Sequence, residues 1–216
     1  MVPNKHIVLL TPGQPSSNPR LLKEAVALSK AGYTVTVLYC FWADWAYEAD
    51  KIVKKRYPSI QWLEVGGNPF DAKWYYLYTR IRHRLFRWLN QYIPNNMFFA
   101  ERAELRCYPE MMQAAVQLNA TLYLAHNLGA LAVAGRAAVK QRCAFAFDAE
   151  DFHRGQSVGN TPAFQRSVLI EQFWMPKASY VTAASPLIAD AYKHATGVTA
   201  TVINNVFSKQ HLVQQP

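Results

Sequence analysis

The 216-residue chain is poor in cysteine and glycine, and it lacks long apolar runs. Its three cysteines, Cys40, Cys107 and Cys143, are odd in number and lie far apart. This spacing argues against a disulfide framework and a structural zinc site, so we expect free thiols in a reducing cytoplasm. No uninterrupted stretch reaches about 18 apolar residues, which argues against a membrane-spanning helix.

Two common phosphate-binding signatures are also missing. The loop that follows the first apolar run, residues 11–20, contains three prolines and one glycine, Gly13. A G-x-G-x-x-G cradle does not fit this loop, and G-x-x-x-x-G-K-[ST] occurs nowhere. We therefore expect neither dinucleotide binding through a glycine-rich loop nor P-loop chemistry.

What the chain has in excess is positive charge and aromatic side chains. It carries 23 Lys and Arg against 14 Asp and Glu, a net charge of +9, and 13% of its residues are aromatic. The aromatic content excludes disorder for most of the chain. The charge favours an anionic partner such as a phosphorylated substrate, nucleic acid or anionic lipid, or it is a basic surface with no dedicated partner. No nucleic-acid-binding motif occurs, so nucleic acid is not expected.

Short apolar runs alternate with amphipathic segments along the sequence. This alternation is typical of an α/β domain with a mostly parallel sheet. We predict one Rossmann-like, doubly wound domain over residues 1–207, with helices on both faces and a helical hairpin inserted at about 71–119. Residues 208–216 are polar and are predicted to be a tail or a linker. The predicted strands are 5–10, 34–40, 61–65, 122–125, 143–147, 180–184 and 201–203, and the predicted helices are 20–30, 73–93, 100–119, 128–140, 164–175 and 186–194.

Ligands of such sheets bind beyond the carboxyl ends of the strands, which directs attention to the polar loops there. His126 follows the fourth strand, and Asp148, Glu150 and Asp151 follow the fifth. The acidic loop is suited to binding hydroxyl groups, acting as a base or holding a metal, or it is simply solvated. Its D-x-E-D pattern is too short for a metal signature, and no metal site is predicted.

Three further residues at this edge allow both a functional and a structural interpretation. Arg20 begins the first helix and either binds an anion there or is an exposed helix-end side chain. Asn127 follows His126 and is suited to capping the helix that begins at 128. Ser185, before Pro186, is best explained as a helix N-cap.

Segment 73–93 combines an apolar, aromatic side with a basic side and contains no acidic residue. One interpretation is a helix packed on the sheet with its basic side in solvent. The other is a contact with a membrane surface or anionic lipid. The candidate contact residues are Lys73, Arg80, Arg84, Arg87 and Trp88.

Several segments, in the correct order over residues 5–207, together resemble family-4 (group 1) glycosyltransferases. They are Asn18-Pro19-Arg20 with Lys23-Glu24-Ala25 and the Ala31-Gly32-Tyr33 turn, Leu124–Leu131 around His126, Phe147–Asp151, Ala178–Ser185 and Val202–Asn205. Three positions depart from the usual pattern: Asn18 replaces Asp, Glu150 replaces His and Asp151 replaces Glu.

The resemblance implies the acceptor-side half of a two-domain GT-B enzyme that transfers a sugar from a nucleotide sugar with retention of configuration. No permanently bound cofactor is implied, and the nucleotide sugar would be held mainly by a carboxy-terminal donor domain. The acceptor would be a saccharide or a lipid-linked saccharide. His126 is then a candidate for stabilising the sugar or its phosphate, Asp148 and Glu150 for binding acceptor hydroxyls, and Gly13, Asn18, Arg20, Asn127 and Asp151 for lining the acceptor side.

We expect the 216 residues alone to be inactive in sugar transfer. We expect the protein to be in the cytoplasm, at the inner face of the membrane. Two other interpretations stay open from the sequence. One is a binding or scaffold domain without catalysis, and the other is a nucleotide-binding α/β domain of another class.

Overall fold

The computed structural model describes residues 5–206. Seven strands form one sheet in the order β3-β2-β1-β4-β5-β6-β7, and every neighbouring pair is parallel. This confirms the predicted α/β class and the parallel sheet. The strands are β1 His6–Thr11, β2 Thr34–Cys40, β3 Gln61–Val65, β4 Leu122–His126, β5 Ala144–Ala149, β6 Val181–Ala183 and β7 Thr201–Val202.

Eight α-helices accompany these strands within residues 5–206. They are α1 Pro19–Lys30, α2 Asp44–Arg56, α3 Lys73–Tyr92, α4 Met97–Glu104, α5 Tyr108–Gln117, α6 Leu128–Gln141, α7 Pro162–Trp174 and α8 Pro186–Thr196. Ser185 caps α8 as predicted, because its Oγ accepts the Ile188 N–H at 3.3 Å. None of the described helices is long and apolar enough to cross a bilayer.

Both faces of the sheet are covered, which explains why β1 is a continuous apolar run. Ile7 and Leu9 belong to a core with α1, whereas Val8 and Leu10 belong to a second, larger core with α6. Alternate residues of a strand point to opposite faces, so a strand covered on both sides has no polar face. This is the doubly wound arrangement that the sequence predicts.

The structure differs from the sequence prediction in two helical regions. Helix α2, between β2 and β3, was not predicted at all. The predicted second helix of the insertion, 100–119, is two helices, α4 and α5, that are separated at 105–107. The insertion therefore has three helices rather than two. The predicted tail, 208–216, lies outside the described residues.

The strand order fixes where a ligand can bind. The chain adds β2 and β3 on one side of β1 and then crosses to place β4 on the other side. At such a switch point the loops after the two adjacent strands diverge and leave a crevice at the carboxyl edge of the sheet. The loops after β1, β4 and β5 meet at this crevice.

Candidate functional site

A cluster of charged side chains lies under the crevice, and His126 is at its centre. His126 is the last residue of β4 and is fully buried. Its Nδ1 lies 2.9 Å from Oε1 of Glu150 and 3.4 Å from Oδ2 of Asp148. Its Nε2 lies 3.0 Å from Oε2 of Glu24, an ion-pair distance without hydrogen-bond alignment. Three carboxylates therefore surround one imidazole.

This environment favours the protonated imidazole. Burial by itself lowers the pKa of His126, because it removes water from the charged ring. The contacts with Asp148, Glu150 and Glu24 act in the opposite direction and outweigh burial, so the pKa is raised well above its ordinary value of 6.5. His126 is thus a buried cation among anions at neutral pH.

Arg20 is the second cation of the cluster. Its Nε and Nη2 donate to the two oxygens of Asp148 at 2.5 and 2.6 Å, which is the paired geometry that a guanidinium forms with a carboxylate. Thr182 also donates to Asp148. Burial raises the pKa of Asp148, but the hydrogen bonds from His126 and Arg20 outweigh it and hold that pKa well below 3.8. Arg20 is therefore held against Asp148 instead of being an exposed helix-end residue.

Glu150 connects the buried cluster with the crevice. Its Oε1 accepts Asn18 Nδ2 at 2.6 Å as well as the His126 ring, and its Oε2 accepts Asn127 Nδ2 at 3.4 Å. Asn18 is fixed in turn as the N-cap of α1, where its Oδ1 accepts the Leu21 N–H at 3.0 Å. Three residues from two distant parts of the sequence, Asn18 and the adjacent pair His126 and Asn127, thus converge on one carboxylate.

Asn127 was predicted to cap α6 through its side chain, but it does not. Its backbone is in the left-handed region, with φ at 66°, and its side chain makes no capping hydrogen bond. The amide instead reaches Glu150 across the neighbouring strand. The unusual backbone therefore directs a polar group into the crevice.

The crevice contains a cavity of about 730 Å³ above Glu150. Five of the predicted residues line it from the sheet side: Gly13, Asn18, Asn127, Glu150 and Asp151. His126 and Asp148 do not line it, because both lie beneath its floor. The insertion forms the opposite wall, with Tyr76, Arg80, His83, Glu104, Leu105 and Arg106.

A smaller cavity of about 270 Å³ lies on the other side of the cluster. Arg20, Glu24, Asp148 and Thr182 line it together with residues 203–206. Arg20 also donates to the Ile203 carbonyl, and Lys23 donates to Asn205 Oδ1 at 2.7 Å. The chain after β7 is thus fastened to the first turns of α1.

The sequence analysis missed several residues of this region. Glu24 was noted only within a motif, and Thr182, Trp42, Tyr76 and Arg106 were not singled out. Thr182 and Glu24 had no local signal, since each depends on which strands and helices become neighbours. Trp42 lies two residues after the end of β2, and this position after a predicted strand was the one available signal.

Glu24, His126 and Asp148 offer ligand atoms within 4.8 Å of one another, a spacing that could accommodate a metal ion. The chemistry of the donors argues against this use. A metal-bound histidine must be neutral, whereas the surroundings of His126 favour its protonated form. Both oxygens of Asp148 are also occupied by Arg20. The cluster already contains two cations, His126 and Arg20, among its three carboxylates.

Helix α3 exposes an apolar stripe, which we define as Trp74, Tyr78, Ile81, Leu85, Trp88 and Tyr92. Each of the six is more than half exposed, up to 79% at Trp74. The exposure overturns the interpretation that the apolar side packs on the sheet. Helix α3 instead buries polar side chains, with Thr79 and Asn90 fully covered.

The predicted basic residues of α3 lie beside this stripe. Each of them immediately precedes a stripe residue, so an α-helix places them in one row about 100° round from it. This row separates the stripe from the buried face, and its members are exposed. The row consists of Lys73, Arg80, Arg84 and Arg87.

Comparison with known proteins gives no sequence match, either among protein-family models or among curated proteins. Solved structures do match. HepE of Anabaena, solved with UDP-glucose, is 16% identical with a TM-score of 0.53, over 94% of this chain and 44% of HepE. TcCGT1, solved with UDP, is 9% identical with a TM-score of 0.55, over 98% of this chain and 54% of TcCGT1.

A Listeria monocytogenes protein described as a UDP-N-acetylglucosamine 2-epimerase is 10% identical with a TM-score of 0.51, over 92% of this chain and 44% of its own. The chain thus spans about half the length of the structures it matches. Its fold is the Rossmann-like half of a GT-B fold.

Proposed function

We propose that this chain is the amino-terminal, acceptor-binding half of a retaining family-4 glycosyltransferase. The whole enzyme would move a hexosyl group from a nucleotide sugar to a saccharide or lipid-linked acceptor. The observation that carries the proposal is the cavity at the switch point of the sheet, whose floor consists of Asn18, Asn127, Glu150 and Asp151. Carboxylates and amides at a strand edge are suited to binding sugar hydroxyls.

The half-GT-B fold supports the same proposal. HepE and TcCGT1 were solved with UDP-glucose and UDP, and a nucleotide sugar is the donor we propose. The donor would be held mainly by a second, carboxy-terminal domain. Residues 203–206, fastened over α1, would lead toward it.

Each residue of the cluster has a role on this proposal. Glu150 and Asp151 accept hydrogen bonds from acceptor hydroxyls, and Asn18 and Asn127 hold Glu150 in place. His126 acts as a positioning residue, because it is buried behind Glu150 and its charge keeps a carboxylate-rich floor stable. Arg20 and Asp148 join α1 to the sheet.

In the net reaction, the bond between the anomeric carbon of the sugar and the diphosphate oxygen breaks. A bond between that carbon and the acceptor oxygen forms, and the acceptor proton leaves with the nucleoside diphosphate. Orientation of the acceptor hydroxyl by Glu150 is the contribution of this half.

We also propose that the enzyme lies at the cytoplasmic face of a membrane, and the α3 stripe with its basic row supports this proposal. Trp and Tyr side chains favour the interface between lipid and water, and arginines beside them favour anionic headgroups. Residues 72–100 contain no acidic side chain to oppose this contact. Because Arg80 belongs to both the basic row and the cavity wall, the cavity opens beside the proposed lipid surface.

The test is a transfer assay on the two-domain protein with a panel of nucleotide sugars. Glu150→Gln removes a charged hydrogen-bond acceptor for the sugar hydroxyls and should lower kcat/KM by about tenfold to a hundredfold. Glu48→Gln is the matched control, since Glu48 is exposed on α2 and does not line the cavity. Equal activity of Glu150→Gln and the wild type would contradict the acceptor site, and no transfer with any donor would favour a binding domain without catalysis.

A further inference from the structure

Arg106 differs from most of the other arginines that pack within the fold. Five of those arginines contact a carboxylate within 2.6 Å: Arg20, Arg82, Arg136, Arg154 and Arg166. Arg106 is half-buried, and within residues 5–206 it makes no such ion pair. Its guanidinium donates to the Gly66 and Phe41 carbonyls at 2.9 and 3.0 Å and to Thr79 Oγ1 at 2.5 Å. Its charge is held in place but not neutralised.

Arg80 brings a second such charge to the same wall. The centroid of the Tyr76 ring lies 5.5 Å from Cζ of Arg80 and 4.8 Å from Cζ of Arg106, so both guanidinium groups contact one ring. The Arg80 side chain is exposed and makes no ion pair or hydrogen bond with the described part of the chain. All three residues line the 730 Å³ cavity.

The neighbouring titratable groups leave this charge uncompensated. Burial lowers the pKa of His83, so its ring is neutral, and Nε2 is occupied by the Ala103 carbonyl at 2.9 Å. Glu104 also lines the cavity, but Arg166 holds it at 2.6 Å. The carboxylates of Glu150 and Asp151 belong to the sheet side of the cavity. The cavity therefore has one acidic wall and one basic wall.

We propose that Tyr76, Arg80 and Arg106 form a binding site for a phosphate or diphosphate group carried by the acceptor. Arg106 supplies a fixed charge, while Arg80 supplies free N–H donors that suit phosphate oxygens. A sugar bound on the acidic wall would then present its phosphate to the basic wall. This inference rests on the proposed function for the identity of the ligand as an acceptor, but the anion site itself does not depend on it.

The test is calorimetric titration of the 216-residue chain with inorganic pyrophosphate. The wild type should bind, and Arg80→Gln should weaken binding about tenfold or more, because a charged hydrogen bond is lost. Arg84→Gln is the matched control, since Arg84 lies one turn further along the same exposed row and does not line the cavity. Both variants replace exposed side chains, and unchanged thermal unfolding would verify their folds.

A second arm distinguishes a lipid-borne phosphate from a soluble one. Phosphatidylcholine vesicles with and without polyprenyl phosphate are compared with free pyrophosphate. Tighter binding to the vesicles that contain polyprenyl phosphate, if it is lost in Arg80→Gln, indicates a lipid-linked acceptor. Binding of free pyrophosphate without tighter binding to these vesicles indicates a soluble acceptor. Both results support the site.

Two results would overturn it: no binding of pyrophosphate by the wild type, or an equal loss in Arg80→Gln and Arg84→Gln. The second would indicate a diffuse basic surface. If pyrophosphate binding by the 216-residue chain depends on Arg80 but the two-domain protein transfers sugar from no donor, the proposed function is refuted and the anion site stands.

Discussion

Nδ1 of His126 and Oε1 of Glu150 lie 2.9 Å apart across the ends of two neighbouring parallel strands, yet only Glu150 reaches the cavity. His126 pairs in register with Asp148, and Glu150 follows two residues later on the same side of the sheet. The histidine therefore acts on the cavity through the carboxylate. The contact thus connects the buried cluster with the wall of the cavity.

Removing the His126 ring should strongly destabilise the fold. His126→Ala leaves Glu24, Asp148 and Glu150 close together without the cation between them, and breaking a buried ion pair costs about 3–5 kcal/mol. Urea unfolding measures this loss. His194→Ala, at an exposed position near the end of α8, should change the free energy of unfolding by less than about 0.5 kcal/mol. Similar losses in both variants would contradict the role of the cluster.

Stability should fall as the pH rises above 6.5 and through the raised pKa of His126 in the folded chain. The pKa of His126 is raised in the folded chain, so its stabilising charge is complete below 6.5 and is lost as the pH rises through the folded pKa. Urea midpoints at a series of pH values measure the slope, and His126→Asn should remove it. An identical alkaline slope in His126→Asn would assign the effect to other groups.

Acid should destabilise the chain through different histidines. Burial lowers the pKa of His83 and His153, so their contribution is present above 6.5 and is lost as the pH falls through their folded pKa values. His153→Gln should flatten the acid side of the urea profile while leaving the alkaline side unchanged. A flattened alkaline side instead would be inconsistent with these assignments.

The α3 stripe should govern attachment to anionic vesicles. Replacing Trp74 and Trp88 together by Ala should weaken co-sedimentation with phosphatidylglycerol vesicles at least tenfold, with little change in stability because both side chains are exposed. Trp45→Ala, which alters an equally exposed tryptophan on α2, is the control. Attachment that does not weaken in high salt would argue against the basic row, and an equal loss in Trp45→Ala would argue against the stripe.

A methyl group at Gly135 should destabilise the domain. A Cβ there would lie 2.2 Å from a ring carbon of Trp174, whose indole N–H donates to the buried Glu101 at 3.1 Å. Gly135→Ala should therefore cost about 1–3 kcal/mol, because α6 and α7 must separate. Gly159→Ala meets no atom within 4 Å and should be nearly neutral. Thermal unfolding of the two variants makes the comparison, and equal stability would refute the close packing.

The strands were predictable because burial on both faces requires continuous apolar runs, as in residues 7–10. Helix α2 was not, since it buries only Ala46 and Asp50 and so carries almost no apolar period. The pattern of α3 predicted an amphipathic helix correctly but not which side packs. Amphipathicity is a local property, whereas the choice of face depends on what the rest of the fold offers.

The same limit applies to the site. The topology rule placed His126, Glu150 and Asn18 at one edge of the sheet, and the structure brings them into contact. The rule says nothing about how deeply each residue is buried, so it could not predict that His126 and Asp148 lie beneath the cavity floor. Depth depends on the angle at which each strand ends, which no motif encodes.

The polar buried face of α3 sets the rotational register of the whole insertion. Thr79 accepts a hydrogen bond from Arg106, and Asn90 accepts one from Arg166 at 3.4 Å. Rotation of the helix about its axis would leave these buried groups without hydrogen-bond partners. A helix packed through an apolar face could rotate slightly at little energetic cost, whereas a helix held by directional hydrogen bonds cannot. Arg80 is thereby kept facing the cavity while Trp88 faces solvent, so the direction in which the α3 stripe points is fixed relative to the mouth of the cavity.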